Sequence, residues 1–374
     1  MIKTTNAPYR DEAVLYDPQA WNAVSRLDAW VGSSLMQKSI RRGETSFAAV
    51  TGLRQHQLRD AAVWSRLMLI AIEDIGIASP PALAHVANMA RLARRHEVGD
   101  NILRAVANVA EILAGAPKDR SADYLISAAV FHPAFENERC LVGKASNDQR
   151  IVMAVDLSLP LITRGIAAWF ASGRDFTGEC RVGEGNLGGL IQAFAGAGVP
   201  ETLLSAVTYI CSRARHPITI MLPVLWMEAF GSNASGLPRV TDIACPGSLL
   251  IGGIPAYALD KHTSSGKAAI TQFAVENNAV ADVLSRWVPD FRAAVAAAMG
   301  AFYTDAIPVR PQFIWHGSTE LERLGREADF AKIGYPIEGI DELITTISDN
   351  LDHLNDLRAK RFLRRTGNGE RRDA

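Results

Sequence analysis

The densest group of side chains that could do chemistry is the segment from Asp260 to Lys267, which reads DKHTSSGK. It lies between a glycine-rich apolar segment and a stretch that predicts a helix. Backbone N–H groups at a helix start attract anions, His262 can carry a proton, and Lys267 can contact a phosphate. One hypothesis is a phosphate-binding or catalytic site in which Asp260 orients these two side chains. The alternative is a solvated loop in which Thr263 or Ser264 only caps the helix.

A second candidate site is the basic C-terminal segment. From Leu357 to Ala374 the sequence has seven lysines or arginines and two acids, although the whole chain has a net charge of −1. Positive side chains within one or two helical turns can contact successive phosphates of a nucleic acid. The candidates for such contacts are Arg358, Lys360, Arg361, Arg364 and Arg365. The alternative is a solvated basic face whose aliphatic stems cover apolar surface.

Two further motifs point more strongly to structure than to chemistry. Gly183–Gly188 spells G-x-G-x-x-G, but the residues before it do not predict the buried strand that a dinucleotide site needs. A turn into a helix is expected there. Glu73 and Asp74 could serve as paired carboxylates in acid–base work, but a structural ion pair with a nearby arginine is the favoured interpretation.

Composition excludes several classes of protein. With 48% apolar and 21% charged residues, the 374-residue chain is typical of a folded globular protein and too apolar for a disordered one. Four dispersed cysteines without C-x-x-C spacing predict neither a zinc site nor a disulfide framework, and no metal or cofactor is expected. The chain starts without a signal peptide, and Pro217, Pro223 and Glu228 interrupt its most apolar stretch. A cytoplasmic protein without a membrane helix is therefore expected.

The elements that would position these residues are mostly helices. Apolar residues recur every three or four positions, and capping residues and glycines mark the ends. In the first third, helices are predicted over 21–41, 61–76, 79–93 and 100–113. Later helices are predicted over 153–171, 187–198, 201–214, 217–230, 265–288 and 290–306. Segments 248–260 and 309–317 are the candidates for short strands or extended crossings.

Three blocks in the early helices also carry a resemblance: LMQKSIRRG at 35–43, AIEDIGIASPPAL at 71–83 and AEILAGAPKDRSADY at 110–124. In order and spacing they resemble the helical region behind the ATPase of replication-associated recombination protein A, also called MgsA, a family of clamp-loader-like AAA+ proteins. The resemblance covers about residues 25–130. It implies a bundle of the clamp-loader collar type and self-association of the chain. It does not imply ATP hydrolysis, because HTSSGKAA and its flanks lack two residues of the P-loop motif and no ATPase module precedes the collar-like region.

The sequence predicts a mainly α protein in four parts. These are an N-terminal extension at 1–24, a collar-like helical domain at 25–140, a second α-rich domain of unknown type at 141–336, and a C-terminal helix with a basic tail at 337–374. The last helix has a heptad-like pattern at Ile340, Leu343, Ile347, Asn350, Leu354 and Leu357. This pattern leaves two alternatives open, docking against the chain's own domain or pairing with a helix of a second chain.

The favoured function is a non-enzymatic, homo-oligomeric accessory or scaffold protein in DNA replication, recombination or repair. Such a protein would bind DNA through its basic tail and act with a separate AAA+ ATPase or another replication protein. The alternative is an enzyme that acts on a nucleotide or nucleic acid at the Asp260–Lys267 loop. A helical protein-interaction module without a DNA role is a third hypothesis.

Overall fold

The structure is a computed structural model, and it describes residues 7–174, 183–214, 216–232, 234 and 236–367. Helices dominate these residues, which confirms the mainly α prediction. The collar arrangement itself stays a prediction. The α-helices are α1 (Ala7–Val14), α2 (Pro18–Val24), α3 (Ala29–Arg42), α4 (Thr45–Arg59), α5 (Ala62–Ile70), α6 (Pro80–Arg94), α7 (Ile102–Gly115), α8 (Ser121–Phe131), α9 (Glu136–Lys144), α10 (Asn147–Val155), α11 (Leu161–Ser172), α12 (Leu187–Gly196), α13 (Glu201–Ala214), α14 (Ile218–Phe230), α15 (Ser264–Glu276), α16 (Asn278–Trp287), α17 (Asp290–Ala301), α18 (Ser318–Lys332), α19 (Ile340–Asp349) and α20 (Leu351–Gly367).

In the described ranges, four short strands accompany the helices: β1 (Arg239–Thr241), β2 (Leu250–Ile251), β3 (Ile254–Pro255) and β4 (Gln312–Ile314). Strands β2 and β3 pair antiparallel within the predicted segment 248–260. Strand β4 lies in the other predicted segment and pairs antiparallel with β1, which the sequence did not predict. In the described part of the chain, no helix has the length and apolar character needed to cross a membrane.

Local capping explains where the early helices begin and end. The stretch predicted as one helix over 21–41 is two helices, because the Asp28 side chain accepts the backbone N–H groups of Trp30 and Val31 and starts α3. Gly43 ends α3 in the left-handed conformation, with φ of 74°, as predicted. Helix α4 follows directly. The sequence does not predict this helix, because its apolar residues recur with only weak helical periodicity.

A wide helical turn follows α5 and positions two acidic side chains. Residues Ala71–Ile75 form a π-helical turn, and Gly76 ends it with φ of 52°. A Cβ on Gly76 would lie 2.6 Å from the backbone oxygen of Asp119, so only glycine permits this close approach. Glu73 and Asp74 therefore lie beside the segment that leads into α8.

The largest apolar core crosses the predicted domain boundary near residue 140. Leu125 of α8, Trp169 of α11 and Leu222 of α14 belong to one buried cluster with the early helices. The division of the chain at that point stays a prediction, and the packing is continuous across it. The N-terminal segment is also integrated, since Trp21 and Val24 are buried in a second cluster with α3 and α4.

The heptad-like residues pack inside their own chain. Leu343, Ile347 and Leu354 are buried in a third cluster with Phe273 and other side chains of α15–α18. The pattern is not one continuous helix, because α19 ends at Asp349 and α20 begins at Leu351. At this break, Asn350 accepts a hydrogen bond from Asn277 Nδ2 over 3.0 Å. The structure therefore adopts the first of the two alternatives, docking against the same chain.

Candidate ligand-binding cavity

The three blocks of the family resemblance meet around the carboxylate of Asp74, which has no exposed surface. Arg41 Nε donates to Asp74 Oδ1 over 2.9 Å, and Arg120 Nη1 contacts the same oxygen. Gln37 Nε2 donates to Asp74 Oδ2 over 3.0 Å. Burial alone would raise the pKa of Asp74, but the charges of Arg41 and Arg120 lower it below its ordinary value. Asp74 is thus a structural ion partner of two buried arginines.

Glu73 lies next to this ion pair but has different surroundings. Its Oε2 accepts a hydrogen bond from Gln37 Nε2 over 2.7 Å. Among the described residues, no cationic side chain has a nitrogen within 4 Å of the Glu73 carboxylate. Burial and the charge of Asp123 raise the pKa of Glu73 to about 7, against the opposing charges of Arg66 and Arg120. Glu73 therefore holds its proton more tightly than an exposed glutamate does.

The predicted loop at Asp260 joins this region from the far end of the chain. Asp260 is 1% exposed, and its Oδ2 accepts from Lys38 Nζ over 2.7 Å. Its Oδ1 accepts from the backbone N–H of His262 over 2.9 Å and so fixes the course of the loop. Thr263 caps α15, since its Oγ1 accepts the N–H of Gly266 over 3.1 Å. The capping part of the solvated-loop interpretation is confirmed, but Asp260 is buried rather than solvated.

The buried pair of Asp260 and Lys38 predicts a pH effect on stability. Burial alone would raise the pKa of Asp260, but Lys38 lowers it from 3.8 to about 2. The unfolded chain therefore takes up this proton at higher pH than the folded protein. The contribution, about 2 kcal/mol, is complete above pH 4 and is lost as the pH falls through about 2. Urea unfolding between pH 5 and 2.5 should show this loss in the wild type, and a loss of the same size in Asp260→Asn would contradict it.

Lys261 is a cavity-lining residue that the sequence did not single out. Its Nζ lies 3.2 Å from Met299 Sδ and 3.9 Å from the centre of the Phe302 ring. No carboxylate oxygen of the described residues lies within 4 Å of this amine. Burial lowers its pKa, despite the nearby charges of Asp329 and Asp260. Nothing in the sequence distinguishes it from a solvated loop lysine, because its neighbours come from α17 and the turn that follows.

Glu73, Lys261 and several of the side chains that hold the buried acids line one cavity of about 310 Å³. Helix α3 contributes Gln37, Lys38 and Arg41, and helix α5 contributes Arg66. Glu73 comes from the π-helical turn, Asp329 comes from α18, and His262 and Trp30 are exposed members of the lining. The charged cavity is lined by Trp30, Ser33, Ser34, Gln37, Lys38, Arg41, Arg66, Glu73, Arg120, Asp123, Lys261, His262, Phe302 and Asp329. Six segments far apart in sequence therefore build a single mixed-charge site.

The structure separates Lys267 from the other candidates of its loop. His262 lines the charged cavity and Asp260 is buried next to it, whereas Lys267 is exposed one helical turn into α15. Lys267 lines a different, shallow groove together with Gln272 and Arg361. The predicted site that combined these residues is therefore divided between two surfaces.

The predicted nucleic-acid residues are also divided. Arg358 has no exposed surface, and its Nη1 contacts Asp305 and donates to Asn355 Oδ1 over 2.9 Å. A side chain held in this way cannot reach a phosphate backbone, so Arg358 is corrected to a structural residue. The others are exposed on α20: Lys360, Arg361, Arg364 and Arg365. Arg361 Nη2 donates a hydrogen bond to Gln272 Oε1 over 2.7 Å, and Arg365 Nη2 lies 3.1 Å from Asp28 Oδ2.

The remaining motifs form no second site among the described residues. Asn186 caps α12 just after Gly183 and Gly185, which fits the expected turn into a helix, but residues 175–182 lie outside the described part. Within the described ranges, no group of three or more His, Cys, Asp or Glu side chains has the arrangement of a metal site. Cys140, Cys211 and Cys245 are free thiols, and Cys180 lies outside the described residues.

Comparison with known proteins identifies no relative. No family model, curated protein or solved structure matches the chain. The resemblance to the MgsA family therefore stays a prediction.

Proposed function

We propose that this protein binds a small phosphate-bearing molecule, of which a nucleotide is one example, in the charged cavity. The supporting observation is that Arg66 and Lys261 line the cavity and have no carboxylate within 4 Å among the described residues. Among the described residues, Arg66 donates a hydrogen bond to Gln37 alone, and Lys261 contacts a thioether and an aromatic ring. This proposal develops the second function hypothesis, an enzyme acting on a nucleotide or nucleic acid.

Physical reasons favour an anion as the occupant. Two other cations of the cavity neutralise buried acids and lie in short contact with them. Lys38 pairs with Asp260, and Arg41 pairs with Asp74. Arg66 and Lys261 lack such contacts, and phosphate oxygens can accept charge-assisted hydrogen bonds from both types of side chain. An anion beside Lys261 would also favour its protonated form and offset the effect of burial on its pKa.

Replacing Lys261 by methionine should weaken binding of the anion without unfolding the protein. Methionine has a similar length and can pack against Met299 and Phe302, so the expected loss is in affinity rather than in stability. Removal of one charge-assisted contact predicts a dissociation constant 10- to 100-fold higher. Isothermal titration calorimetry with inorganic pyrophosphate and with adenosine 5′-monophosphate measures this directly.

Lys267→Met is the matched control, because it removes the same charge six residues away on an exposed surface. We expect its affinity to remain within threefold of the wild type. If Lys267→Met loses binding and Lys261→Met retains it, the charged cavity is not the binding site. Absence of binding of either probe to the folded wild type would also contradict the proposal.

A DNA accessory role is the second candidate function, and it is favoured by the exposed cations on α20. Lys360, Arg361 and Arg364 are exposed within little more than one helical turn, and Arg361 lines the same groove as Lys267 of α15. Phosphate contacts of this kind produce an affinity that falls as salt rises. Oligomer formation and a separate AAA+ ATPase partner remain part of this proposal.

Fluorescence anisotropy with labelled single- and double-stranded DNA tests the second candidate. Truncation after Leu357 is unsuitable, because it would remove Phe362 from the apolar core. The double variant Lys360→Ala with Arg364→Ala should weaken binding at least fivefold and flatten its salt dependence. The control removes two exposed arginines elsewhere, Arg104→Ala with Arg286→Ala; an equal loss in both variants would contradict a specific interface.

A further inference from the structure

The charged cavity also has two acidic side chains that form no ion pair within 4 Å in the described part of the chain. Glu73 accepts a hydrogen bond from Gln37, and Asp329 Oδ2 accepts one from the Tyr303 hydroxyl over 2.8 Å. Neither carboxylate has a cationic nitrogen within 4 Å among the described residues. These acids therefore differ from Asp74 and Asp260, which are held by buried arginine or lysine.

The surroundings of both acids favour a positive group beside them. Asp123 lies near each of them, and its charge acts together with burial to raise the pKa of Glu73 and of Asp329. Asp123 itself is held by Arg120. An additional cation in the cavity would stabilise the ionised form of both carboxyl groups, because opposite charges attract strongly where water is scarce.

We propose that the ligand of the charged cavity carries an ammonium group as well as its anionic group, and that Glu73 and Asp329 bind the ammonium. This inference rests on the proposed function, in which Arg66 and Lys261 bind the anion. The chemical class is an amine-bearing phosphate, for which an aminoalkyl phosphate is the simplest representative.

Charge balance supports a ligand with both charges. Two cations and two carboxylates of the cavity have no partner of opposite sign within 4 Å among the described residues, although the charge of Arg66 acts on Glu73 and that of Lys261 acts on Asp329. A simple anion would satisfy Arg66 and Lys261 but would add negative charge beside Glu73 and Asp329. A simple cation would do the reverse. A ligand with one group of each sign supplies partners to both pairs, and its ammonium offsets part of the negative charge that the phosphate brings into a partly buried site.

The test compares two probes that differ only in the amine. O-phosphoethanolamine and ethyl phosphate are titrated into the full-length protein by calorimetry at pH 7.5. The amine-bearing probe should bind at least tenfold more tightly. In the double variant Glu73→Gln with Asp329→Asn this advantage should fall below threefold, while ethyl phosphate binds as well as to the wild type or better. Thermal unfolding of the variant confirms that it is folded.

The outcomes separate this inference from the proposed function. If ethyl phosphate binds as tightly as O-phosphoethanolamine, the ammonium inference is wrong and the phosphate site stands. If the amine advantage persists in the double variant, Glu73 and Asp329 do not bind the ammonium and the inference is equally wrong. If neither probe binds the folded wild type, both the proposed function and the inference fail.

Discussion

Replacement of Asp74 by asparagine is expected to lower the free energy of unfolding by about 3 to 5 kcal/mol. Asparagine keeps the shape of the side chain but removes the negative charge that Arg41 and Arg120 share. Both arginines are more than nine-tenths buried, so Arg41 would lose its carboxylate partner and Arg120 would keep only Asp123. Urea unfolding at pH 7 measures the change.

A surface pair provides the matched control for Asp74. Asp242 and Arg310 form the same kind of contact, with 2.6 Å between Oδ1 and Nε, but their side chains are 63% and 44% exposed. Asp242→Asn should therefore cost less than about 1 kcal/mol. If the two variants lose similar amounts, the buried network contributes no more than a surface ion pair, and the structural role of Asp74 is wrong.

The second large effect is expected at Gly266, in the first turn of α15. A Cβ at this position would lie 2.2 Å from the backbone oxygen of Asp260 and 2.5 Å from the backbone of Leu259. Backbone cannot move aside as a flexible side chain does, so Gly266→Ala should lower the free energy of unfolding by about 3 kcal/mol. Because the clash pushes on the Asp260–His262 loop, binding of pyrophosphate should weaken in the same variant.

Gly196→Ala is the control for this substitution. Gly196 is also helical, at the end of α12, and a Cβ there would meet no atom within 4 Å. Alanine has less conformational entropy to lose than glycine, so the change should be neutral or stabilising by up to about 1 kcal/mol. A loss at Gly196 equal to that at Gly266 would show that helix propensity, and not the close approach to Asp260, is responsible.

The early helices show which helix boundaries the local sequence patterns predict. Ser79 followed by Pro80 and Pro81 predicted the start of α6, and the structure begins α6 at Pro80 with Ser79 as its cap. The break between α2 and α3 was missed, because apolar periodicity continues through Asp28 and hides its capping role. Such signals act over one or two turns, so they locate elements better than they locate contacts between them.

The candidate site shows the limit of the same patterns. The sequence singled out Asp260, His262 and Lys267 as one constellation, since their types and spacing suited phosphate chemistry. The structure places the first two at the charged cavity and the third on another surface. The sequence could not distinguish Lys261 from a solvated loop lysine. Its burial comes from contacts with Met299 and Phe302, which are about 40 residues away in the chain, and no carboxylate of the described residues lies within 4 Å of its amine.

The sequence by itself determined the mainly α class, most helix positions, the Ser79 and Thr263 caps and the acidic pair at Glu73 and Asp74. These follow from interactions between residues at most four positions apart. Only the tertiary structure decided which charges are neutralised and which face a cavity. Lys38 meets Asp260 across 222 positions, and Arg358 is buried against Asp305 instead of facing solvent. Pairing and burial at such separations depend on how the helices pack, and this packing is encoded by the whole chain rather than by any local pattern.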